Sequence, residues 1–381
     1  MRKKIVFLTG TRADFGKLKP LITEVNLSKK YVPHIFATGM HMLEKYGSTV
    51  HEIFRQGFSN VYMYNNSSYA QAMDIALSNT INGFSNYVRE LKPDMIIVHG
   101  DRAEALAGAI VGSFNNILVG HIEGGEISGT IDELIRHSIT KLAHVHFISN
   151  DEAQKRLLLM GETLERIFKI GSPEIDIMLG ENLPKIEDVK QYYQIPYDDY
   201  GILIYHPVTT ELINLQNNIK NVVSAVMKSK LNYIVIQPNN DTNAEIIFNE
   251  YSRFKKIKRI RVFPSIRFEY FMTLLKHSNF ILGNSSSGVR EAPVFGVPSI
   301  NIGTRESGRN LNESIFNLTE DKKKILLKIN EINKKKLKFP IHCKFGEGNS
   351  AKRFMGILDG KKLWKLPLQK KFHEYNLNKD N

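Results

Sequence analysis

Two short apolar segments of the sequence are each followed closely by a carboxylate. Asp101 follows Met95–His99 after a single glycine, and Glu123 comes directly after Ile117–Ile122. If these segments are neighbouring parallel strands, both carboxylates lie at the same edge of the sheet. Two carboxylates in different environments are suited to abstracting one proton and returning another. The glycine pair after Glu123 would let the backbone approach a ligand closely.

A third carboxylate, Asp132, stands near the start of the next predicted helix, Ile131–Leu142, and Arg136 follows it by one turn. The spacing places both side chains on one helix face. One interpretation is a helix cap with an ion pair to Arg136, and the other is a part in the same site as the first two carboxylates. The concentration of acids after two strands favours the site.

Residues suited to binding an anion follow another predicted strand. The stretch from Gly10 to Gly16 is a glycine-containing turn that carries Arg12, and we predict a helix from about Lys17. Backbone N–H groups at a helix start and a guanidinium group both bind phosphate. The turn has neither a dinucleotide-binding nor a P-loop pattern. A tight turn with a solvated Arg12 is the alternative.

The second half of the chain repeats this arrangement of polar residues after apolar segments. His206 would lie over a diphosphate, and Ser285 and Ser286 open a predicted helix whose amides suit an anion. Glu291, one turn into that helix, would accept the hydroxyls of a ribose. The alternative is a serine N-cap with Glu291 as its capping-box partner. Arg305 follows the next apolar segment.

The elements that must position these residues recur in two series, which is typical of parallel strands covered by helices on both faces. Residues 173–200 contain three prolines and polar clusters, which indicates a linker between the series. We therefore predict an α/β fold of two doubly wound, Rossmann-like domains facing a cleft, with limits at 1–172 and 173–349. A C-terminal helix within 350–381 is expected to pack back on the first domain. The predicted strands are Ile5–Thr9, His34–Thr38, Met95–His99, Ile117–Ile122, Val145–Ser149, Ile167–Ile170, Gly201–Tyr205, Tyr233–Gln237, Arg259–Phe263, Phe280–Gly283 and Ser299–Ile302.

Composition narrows the function classes. The 381 residues carry 52 Lys plus Arg and 39 Asp plus Glu, a net charge of +13. From Glu320 onward the balance is 17 to 7, so only +3 belongs to residues 1–319. This distribution argues against a nucleic-acid or membrane partner and indicates a solvated helical surface near the C-terminus. No segment resembles a signal peptide or a membrane span, so we expect a cytoplasmic protein.

Metal chemistry and disulfide bonding are not indicated. The single cysteine, Cys343, excludes an intrachain disulfide and a Cys-rich metal cluster. His137, His144 and His146 lack firm metal-ligand spacing, and we interpret them as core or surface histidines. We therefore predict no metal site.

Several stretches together resemble the hydrolysing UDP-N-acetylglucosamine 2-epimerases of sialic acid synthesis. Each stretch is of modest specificity, but they match in register from residue 10 to about residue 310. The stretches are GTRADFGKLKPL at 10–21, HGDRAEALAGA at 99–109, HIEGGEISGTIDELIRHSITKLAH at 121–144, HPVTTE at 206–211, FPSIRFEYF at 263–271 and GNSSSGVREAPVFGVPSINIGTR at 283–305.

The resemblance implies a fold like that of GT-B glycosyltransferases, with UDP in the cleft. It also implies conversion of UDP-N-acetylglucosamine (UDP-GlcNAc) and water to N-acetylmannosamine (ManNAc) and UDP. Carried over by position, the acid/base carboxylates are Asp101, Glu123 and Asp132. The UDP-sugar-binding residues are Arg12, Arg102, Arg136, His206, Ser285, Ser286 and Arg305, with Asn240 and Ile266 lining the nucleotide pocket and Glu291 on the ribose.

The implied reaction is an elimination to a glycal followed by hydration, so it requires no cofactor such as NAD. The expected partners are the nucleotide sugar and further copies of the chain, as a dimer or a tetramer. Four alternatives stay open. A non-hydrolysing epimerase is disfavoured by the loop GGEISGTIDELIRH, and a GT-B glycosyltransferase should not need three carboxylates after its first-domain strands. The near-neutral first 319 residues argue against a nucleic-acid-binding protein. A UDP-2,4-diacetamido-trideoxyhexose of the legionaminic acid pathway fits the same motifs.

Overall fold

The chain forms two compact units, each built on one parallel sheet. The computed structural model describes residues 2–66, 72–181, 183–208, 210–239, 241, 243–306, 308, 312–371 and 373. The first unit comprises Met1–Ile127, Asp132–Leu179 and Phe345–Asn381, and the second comprises Ser128–Ile131 and Gly180–Lys344.

The first unit contains a seven-stranded sheet in the order β3-β2-β1-β4-β5-β6-β7, and every pairing in it is parallel. Its elements are β1 Lys3–Thr9, α1 Arg12–Leu27, β2 Tyr31–Ala37, α2 Val50–Arg55, β3 Val61–Met63, α3 Met73–Leu91, β4 Met95–His99, α4 Ala103–Phe114, β5 Leu118–Ile122, α5 Thr130–Leu142, β6 Val145–Ile148, α6 Asp151–Leu159, β7 Ile167–Lys169, α7 Pro173–Leu179 and, after the second unit, α13 Ser350–Asp359.

The central strands of this sheet are buried on both faces, as their continuous apolar sequence predicts. Every residue of β4 and β5 is buried. Leu18 and Leu21 on the inner face of α1 join the same core. Phe354 and Leu358 of α13 are fully buried in that core, so the C-terminal helix packs on the first unit.

The second unit contains a six-stranded parallel sheet in the order β10-β9-β8-β11-β12-β13. Its core lies between this sheet and its helices and includes Leu203, Val222 and Ile329, each fully buried. Its elements are α8 Ile186–Tyr193, β8 Gly201–Ile204, α9 Leu215–Ser229, β9 Tyr233–Ile236, α10 Ala244–Tyr251, β10 Ile260–Phe263, α11 Phe268–His277, β11 Phe280–Gly283, β12 Ser299–Ile302, β13 Ile315–Leu318 and α12 Lys322–Lys335.

These observations confirm the prediction of two doubly wound α/β units, and every predicted strand is present. Two strands escaped prediction, β3 and β13, both at sheet edges. All three residues of β3 are half-buried or exposed, so it lacks the continuous apolar run that marks a central strand. The first unit runs to Leu179 and resumes at Phe345, whereas the sequence predicts these two domain boundaries after residues 172 and 349. Residues 173–179 belong to the first unit because α7 packs against α1.

No helix in the described part of the chain combines the length and the apolar character that crossing a bilayer requires.

The segment after α13 is attached to the first unit through a half-buried lysine, Lys370. Lys370 Nζ donates hydrogen bonds to the carbonyl oxygens of Thr140 at 3.0 Å and Ala143 at 2.8 Å, which lie at the end of α5. The same ammonium group lies 2.7 Å from Glu162 Oε2. Cations are favourable at a helix C-terminus, where carbonyl groups lack partners. The expectation of a solvated surface for the basic C-terminal region is therefore wrong for Lys370.

Glu162 is the centre of this contact. Its side chain is 1% exposed and lies 3.1 Å from His146 Nε2 and 3.1 Å from Lys141 Nζ. Burial by itself would raise the pKa of Glu162, but the hydrogen bonds and charges of His146 and Lys370 outweigh it and lower the pKa to about 2. Arg166 also attaches the C-terminal segment to the first unit, because its guanidinium group donates a hydrogen bond to the carbonyl oxygen of Pro367 at 2.8 Å. The buried carboxylate is thus ionised and paired.

We predict that Lys370→Ala lowers the free energy of unfolding by about 2 kcal/mol, because it leaves a buried carboxylate and the carbonyls of α5 with fewer partners. Lys371→Ala is the matched control, since Lys371 is exposed, and its effect should stay within about 0.5 kcal/mol. Urea denaturation of both variants measures the difference. Equal stability of the two variants would contradict the role given to Lys370.

Candidate active site

The first sheet reverses its strand order between β1 and β4. At such a switch point the following loops diverge and leave a crevice beyond the carboxyl ends of the strands, where ligands of this architecture bind. Gly10–Arg12 follows β1, and Gly100–Arg102 follows β4. Arg12, Asp101 and Arg102 therefore lie at the edge of the sheet where a ligand is expected.

The helix after β1 begins at Arg12, five residues earlier than the sequence predicted. The reason is a capping box between Thr11 and Asp14. Thr11 Oγ1 accepts from Asp14 N at 3.1 Å, and Asp14 Oδ1 accepts from Thr11 N at 3.1 Å. Asp14 Oδ2 also accepts from Gly10 N at 2.9 Å. Since these amides are already bonded, the anion binding predicted for this turn would depend mainly on Arg12, whose Nε lies 3.0 Å from Glu52 Oε2.

A buried histidine supports this helix start. His41 Nε2 lies 3.0 Å from Thr9 Oγ1, and His41 Nδ1 lies 2.7 Å from Thr49 Oγ1. Thr9 Oγ1 in turn hydrogen-bonds to the Asp14 carboxylate. Burial lowers the pKa of His41 to about 4, so the ring is neutral at pH 7. The capping carboxylate is therefore fixed by a chain of uncharged side chains.

The structure brings Asp101 and Glu123 together through Arg136. β4 and β5 are adjacent and parallel, with His99 in register with Ile122. Arg136 Nη1 donates to the carbonyl oxygen of Glu123 at 2.6 Å, and Arg136 Nη2 forms a short ion pair with Asp101 Oδ2. The guanidinium group is 1% exposed, whereas the Asp101 side chain is 22% exposed. Arg136, which the sequence assigned to the substrate, thus binds the two catalytic candidates directly.

Glu123 occupies a strained backbone conformation. Its φ is +64°, a left-handed value that costs a residue with a Cβ about 1–2 kcal/mol. The residue is 3% exposed. Strain of this kind persists only where surrounding contacts impose it, and it occurs most often at functional sites.

Three elements contact the Glu123 carboxylate, and the sequence identified none of the residues involved. Glu123 Oε1 lies 3.4 Å from Ser172 Oγ, 3.5 Å from His99 Nε2 and 3.7 Å from Lys17 Nζ. Lys17 Nζ is also 3.5 Å from Oε1 of the fully buried Glu174. A lysine between buried residues of α1 is the one local signal that could have revealed this set.

His121 connects the two carboxylate-bearing loops. It is fully buried on β5, and its Nε2 lies 2.7 Å from the carbonyl oxygen of Gly100. Burial, with the nearby charge of Arg136, lowers the pKa of His121 to about 3. The ring is therefore neutral at pH 7 and donates through Nε2.

The remaining first-unit candidates are on α5 and at the start of α4. Asp132 is half-buried in the first turn of α5, on the same helix as Arg136. Arg102 is the N-cap of α4, and its Nε lies 3.3 Å from Glu104 Oε2. Glu104 packs against Gly10, where an added Cβ would lie 2.9 Å from the Glu104 carboxyl carbon. A side chain at position 10 would therefore displace this carboxylate from the first switch-point loop.

The second sheet reverses its order between β8 and β11. His206 follows β8, and Ser285, Ser286 and Glu291 follow β11, whereas Arg305 follows β12 and Ile266 follows β10. His206 N donates to Asn284 Oδ1 at 2.7 Å, and Asn284 Nδ2 donates to the carbonyl oxygen of His206 at 2.8 Å. His206 Nδ1 accepts from Asn239 N at 3.2 Å, so Nε2 carries the proton of the neutral ring. The sequence by itself did not identify Asn284. Its side-chain amide makes the pair of hydrogen bonds to the backbone of His206 that a neighbouring strand would make, and so joins the two loops.

Close approach of β8 and β11 depends on Gly283. Its φ is +132°, and an added Cβ would lie 1.8 Å from the carbonyl oxygen of Ile204. Any other residue would push the two strands apart at the point where His206 and Asn284 meet.

The predicted helix after Gly283 is wrong. The chain forms two short 3₁₀ segments, Ser286–Gly288 and Ala292–Phe295. Pro293 has no N–H to continue a helix, and Gly296 is left-handed. Ser285 is the N-cap of the first segment, and its Oγ accepts from Ser287 N at 3.4 Å.

Glu291 is therefore not one turn into a helix. It precedes the second 3₁₀ segment and is 1% exposed. Arg305 Nη1 donates to the carbonyl oxygen of Asn284 at 3.2 Å and lies 3.1 Å from Glu306 Oε1. Ile266 is buried just before α11. Asn240 lies outside the described residues.

Two doubly wound units with charged and polar side chains at their switch points define a Rossmann-type α/β protein. The sequence profile of the UDP-N-acetylglucosamine 2-epimerase family matches residues 23–359. The chain thus belongs to the UDP-N-acetylglucosamine 2-epimerase family and is an enzyme of that family.

Individual relatives agree with this assignment. A UDP-N-acetylglucosamine 2-epimerase of Neisseria meningitidis serogroup B is 45% identical over 378 residues, covering 98% of this chain and 100% of the relative. The UDP-N,N'-diacetylbacillosamine 2-epimerase (hydrolyzing) of Legionella pneumophila is 33% identical, with both chains fully covered. The solved structure of the UDP-GlcNAc 2-epimerase of Methanocaldococcus jannaschii in complex with UDP-GlcNAc and UDP is 24% identical, covers 93% of this chain and 99% of its own, and has a TM-score of 0.78. This last likeness shows a shared fold.

Acidification is predicted to destabilise the first unit through His41 and His121. Their pKa values are about 4 and about 3 in the fold, against about 6.5 in an unfolded chain. Between these values the unfolded state binds protons that the folded state does not, so the free energy of unfolding falls as pH falls. The slope is about 1.4 kcal/mol per pH unit for each histidine.

Denaturant titrations from pH 7 down to about pH 5 measure this slope. His121→Gln keeps a donor for Gly100 but removes the titrating ring, so it should reduce the slope by about 1.4 kcal/mol per pH unit. The control is His51→Gln, at an exposed position, which should leave the slope unchanged. An unaltered slope in His121→Gln would contradict a neutral, buried ring.

Proposed function

We propose that the protein is a hydrolysing epimerase that converts UDP-GlcNAc and water to ManNAc and UDP, for sialic acid biosynthesis. The observation that carries the proposal is the pair of Asp101 and Glu123, held on neighbouring strands by Arg136. Within a family of 2-epimerases, such a pair supplies the proton transfers that inversion at C2 of the sugar requires.

The reaction proceeds by elimination and then hydration. A carboxylate removes the C2 proton, the electron pair forms the C1–C2 double bond, and the C1–oxygen bond to UDP breaks. Water then adds its hydroxyl group to C1, and a carboxylic acid returns a proton to the opposite face of C2. Asp101, Glu123 and Asp132 are the proposed acids and bases.

The contacts of Glu123 suit such a role. Lys17, His99 and Ser172 surround one carboxylate oxygen, and Lys17 is shared with a second buried carboxylate, Glu174. A nearby cation lowers the affinity of a carboxylate for a proton, and low exposure raises it. Arg136 keeps the backbone of Glu123 in its strained geometry and so acts as a positioning residue.

Departure of UDP requires positive groups around the diphosphate. In the proposal, Arg12 and Arg102 supply them in the first unit, and His206, Ser285, Ser286 and Arg305 bind the nucleotide in the second. Nε2 is the donor nitrogen of the neutral His206 ring, because Nδ1 accepts from Asn239 N. Glu291 accepts hydrogen bonds from the ribose hydroxyls, and Ile266 lines the nucleotide pocket, a part that the family resemblance also implies for Asn240.

The hydrolysing outcome is supported by the loop GGEISGTIDELIRH at 124–137 and by the Legionella relative, whose name states that it is hydrolysing. That relative also provides a second candidate, in which the same chemistry acts on a UDP-linked diacetamido sugar. The Neisseria relative, which is 45% identical, is named for UDP-GlcNAc, and this favours the first substrate.

Incubation with UDP-GlcNAc in deuterated water, followed by proton and phosphorus NMR, tests the reaction. We expect free UDP and ManNAc that carries deuterium at C2, because the proton lost from C2 exchanges with solvent before it is returned. A stable UDP-ManNAc product would contradict the hydrolysing reaction and indicate a non-hydrolysing epimerase. Turnover of the diacetamido sugar without turnover of UDP-GlcNAc would reassign the substrate.

Glu123→Gln should lower kcat at least about 100-fold, the usual minimum for loss of a general acid or base. It should leave the dissociation constant for UDP within a few-fold, because UDP is bound elsewhere. Glu133→Gln is the control, since Glu133 lies beside Asp132 on α5 and pairs with His137; its kcat should stay within about twofold. Full activity of Glu123→Gln would remove Glu123 from the mechanism, while equal loss of UDP binding would make its role structural.

A further inference from the structure

A basic cavity lies at the end of the first sheet remote from the carboxylates. It has a volume of about 660 Å³, and β1 and β2 contribute residues near their starts. Since β1 rises about 3.3 Å per residue, this end lies roughly 20 Å from the loop that carries Arg12. The lining residues are Arg2, Lys3, Lys29, Lys30, Tyr31, Leu358, Asp359, Gly360, Lys361, Trp364 and Lys365.

Positive charge dominates this cavity, which we call the basic cavity. Six of its lining residues are Lys or Arg, and Asp359 is its one carboxylate. That carboxylate is already engaged, because Asp359 Oδ1 lies 3.0 Å from Lys30 Nζ and accepts from Tyr31 Oη at 3.2 Å. Lys3 Nζ is likewise paired, at 3.1 Å from Asp94 Oδ1.

The other four basic residues are not neutralised. Among the described residues, no carboxylate pairs with Arg2, Lys29, Lys361 or Lys365, and all four are exposed. Like charges gathered around a concavity repel one another and raise the local concentration of anions. This arrangement costs stability unless an anion occupies the cavity.

An ordered aromatic wall holds the cavity in shape. The rings of Tyr31 and Trp364 stack at 6.2 Å between centroids. Both anchor to one carbonyl oxygen, that of Leu358, which accepts from Tyr31 Oη at 2.6 Å and from Trp364 Nε1 at 2.7 Å. Lys3 Nζ lies 4.4 Å from the centroid of the Trp364 ring. The wall is therefore in place before any ligand binds, which lowers the entropy cost of binding.

We propose that the basic cavity binds a small anion with two or more linked phosphate groups, an oligophosphate that is inorganic or attached to a nucleoside. Lysine ammonium groups bind phosphate as point charges, and several unpaired ones around a single cavity match several phosphates. A nucleic acid would need a continuous basic track, whereas residues 1–319 carry a net charge of only +3. The site is separate from the carboxylate edge and does not rest on the proposed reaction.

The chain contains one tryptophan, Trp364, so tryptophan fluorescence reports on this cavity alone. Titration of the full-length protein with tripolyphosphate at low salt should give a saturable change in emission. The apparent dissociation constant should increase steeply with salt, as binding by several ammonium groups requires. Absence of a saturable change up to millimolar tripolyphosphate would overturn the proposal.

A charge-reversal pair locates the site. Lys361→Glu combined with Lys365→Glu should weaken tripolyphosphate binding at least tenfold. The control combines Lys334→Glu with Lys352→Glu, which changes the net charge equally at exposed positions outside the cavity, and it should bind within about twofold of the unaltered protein. Equal weakening by both pairs would show non-specific attraction and overturn the assignment.

Competition distinguishes the two sources of the ligand. UTP and tripolyphosphate are compared for displacement, with the Trp364 signal as the readout, so that binding of a uridine nucleotide elsewhere does not register. Tighter binding of UTP would assign the cavity to a nucleotide, and equal binding would assign it to the phosphate chain; either result supports the site. Failure of UTP to compete would assign the cavity to an inorganic oligophosphate.

Discussion

A buried guanidinium group organises the carboxyl edge of the first sheet. Arg136 is 1% exposed, so its charge is stable only with partners in fixed positions. Those partners are the carboxylate that follows β4 and the backbone carbonyl that follows β5. Removing one partner of a buried pair typically costs about 3–5 kcal/mol. The geometry of both loops therefore depends on one side chain that enters from α5.

The contacts of Arg136 help to hold Glu123 in a conformation that it would not adopt by itself. Its left-handed backbone is unfavourable by itself, but Arg136 holds the carbonyl group and Lys17, His99 and Ser172 hold the carboxylate. The surrounding contacts thus offset the strain and fix the direction of the side chain. A carboxylate held in a fixed position can take up or release a proton without reorganisation of the site, and this is what the proposed acid/base role of Glu123 requires.

In the second unit, neutral groups hold together the two loops at the switch point. At its switch point the Asn284 amide donates to one backbone group of His206 and accepts from another, and Gly283 lets the strands approach closely enough for this exchange. Charged groups at the first switch point and amide groups at the second agree with the proposed division of roles, in which the first unit transfers protons and the second binds a nucleotide.

The sequence by itself determined the central strands, because residues buried on both faces must be apolar, as in Met95–His99. It also placed Asp101, Glu123 and His206 within two residues of the ends of such strands, since the carboxyl end of a parallel strand is a position along the chain. Edge strands such as Val61–Met63 have little buried surface and so leave little pattern. Only the tertiary structure decided which distant residues meet. Lys17 with Glu123, Asn284 with His206 and Lys370 with Glu162 are each pairs separated by many residues. No local rule selects such partners, because the packing of whole helices against sheets brings them together.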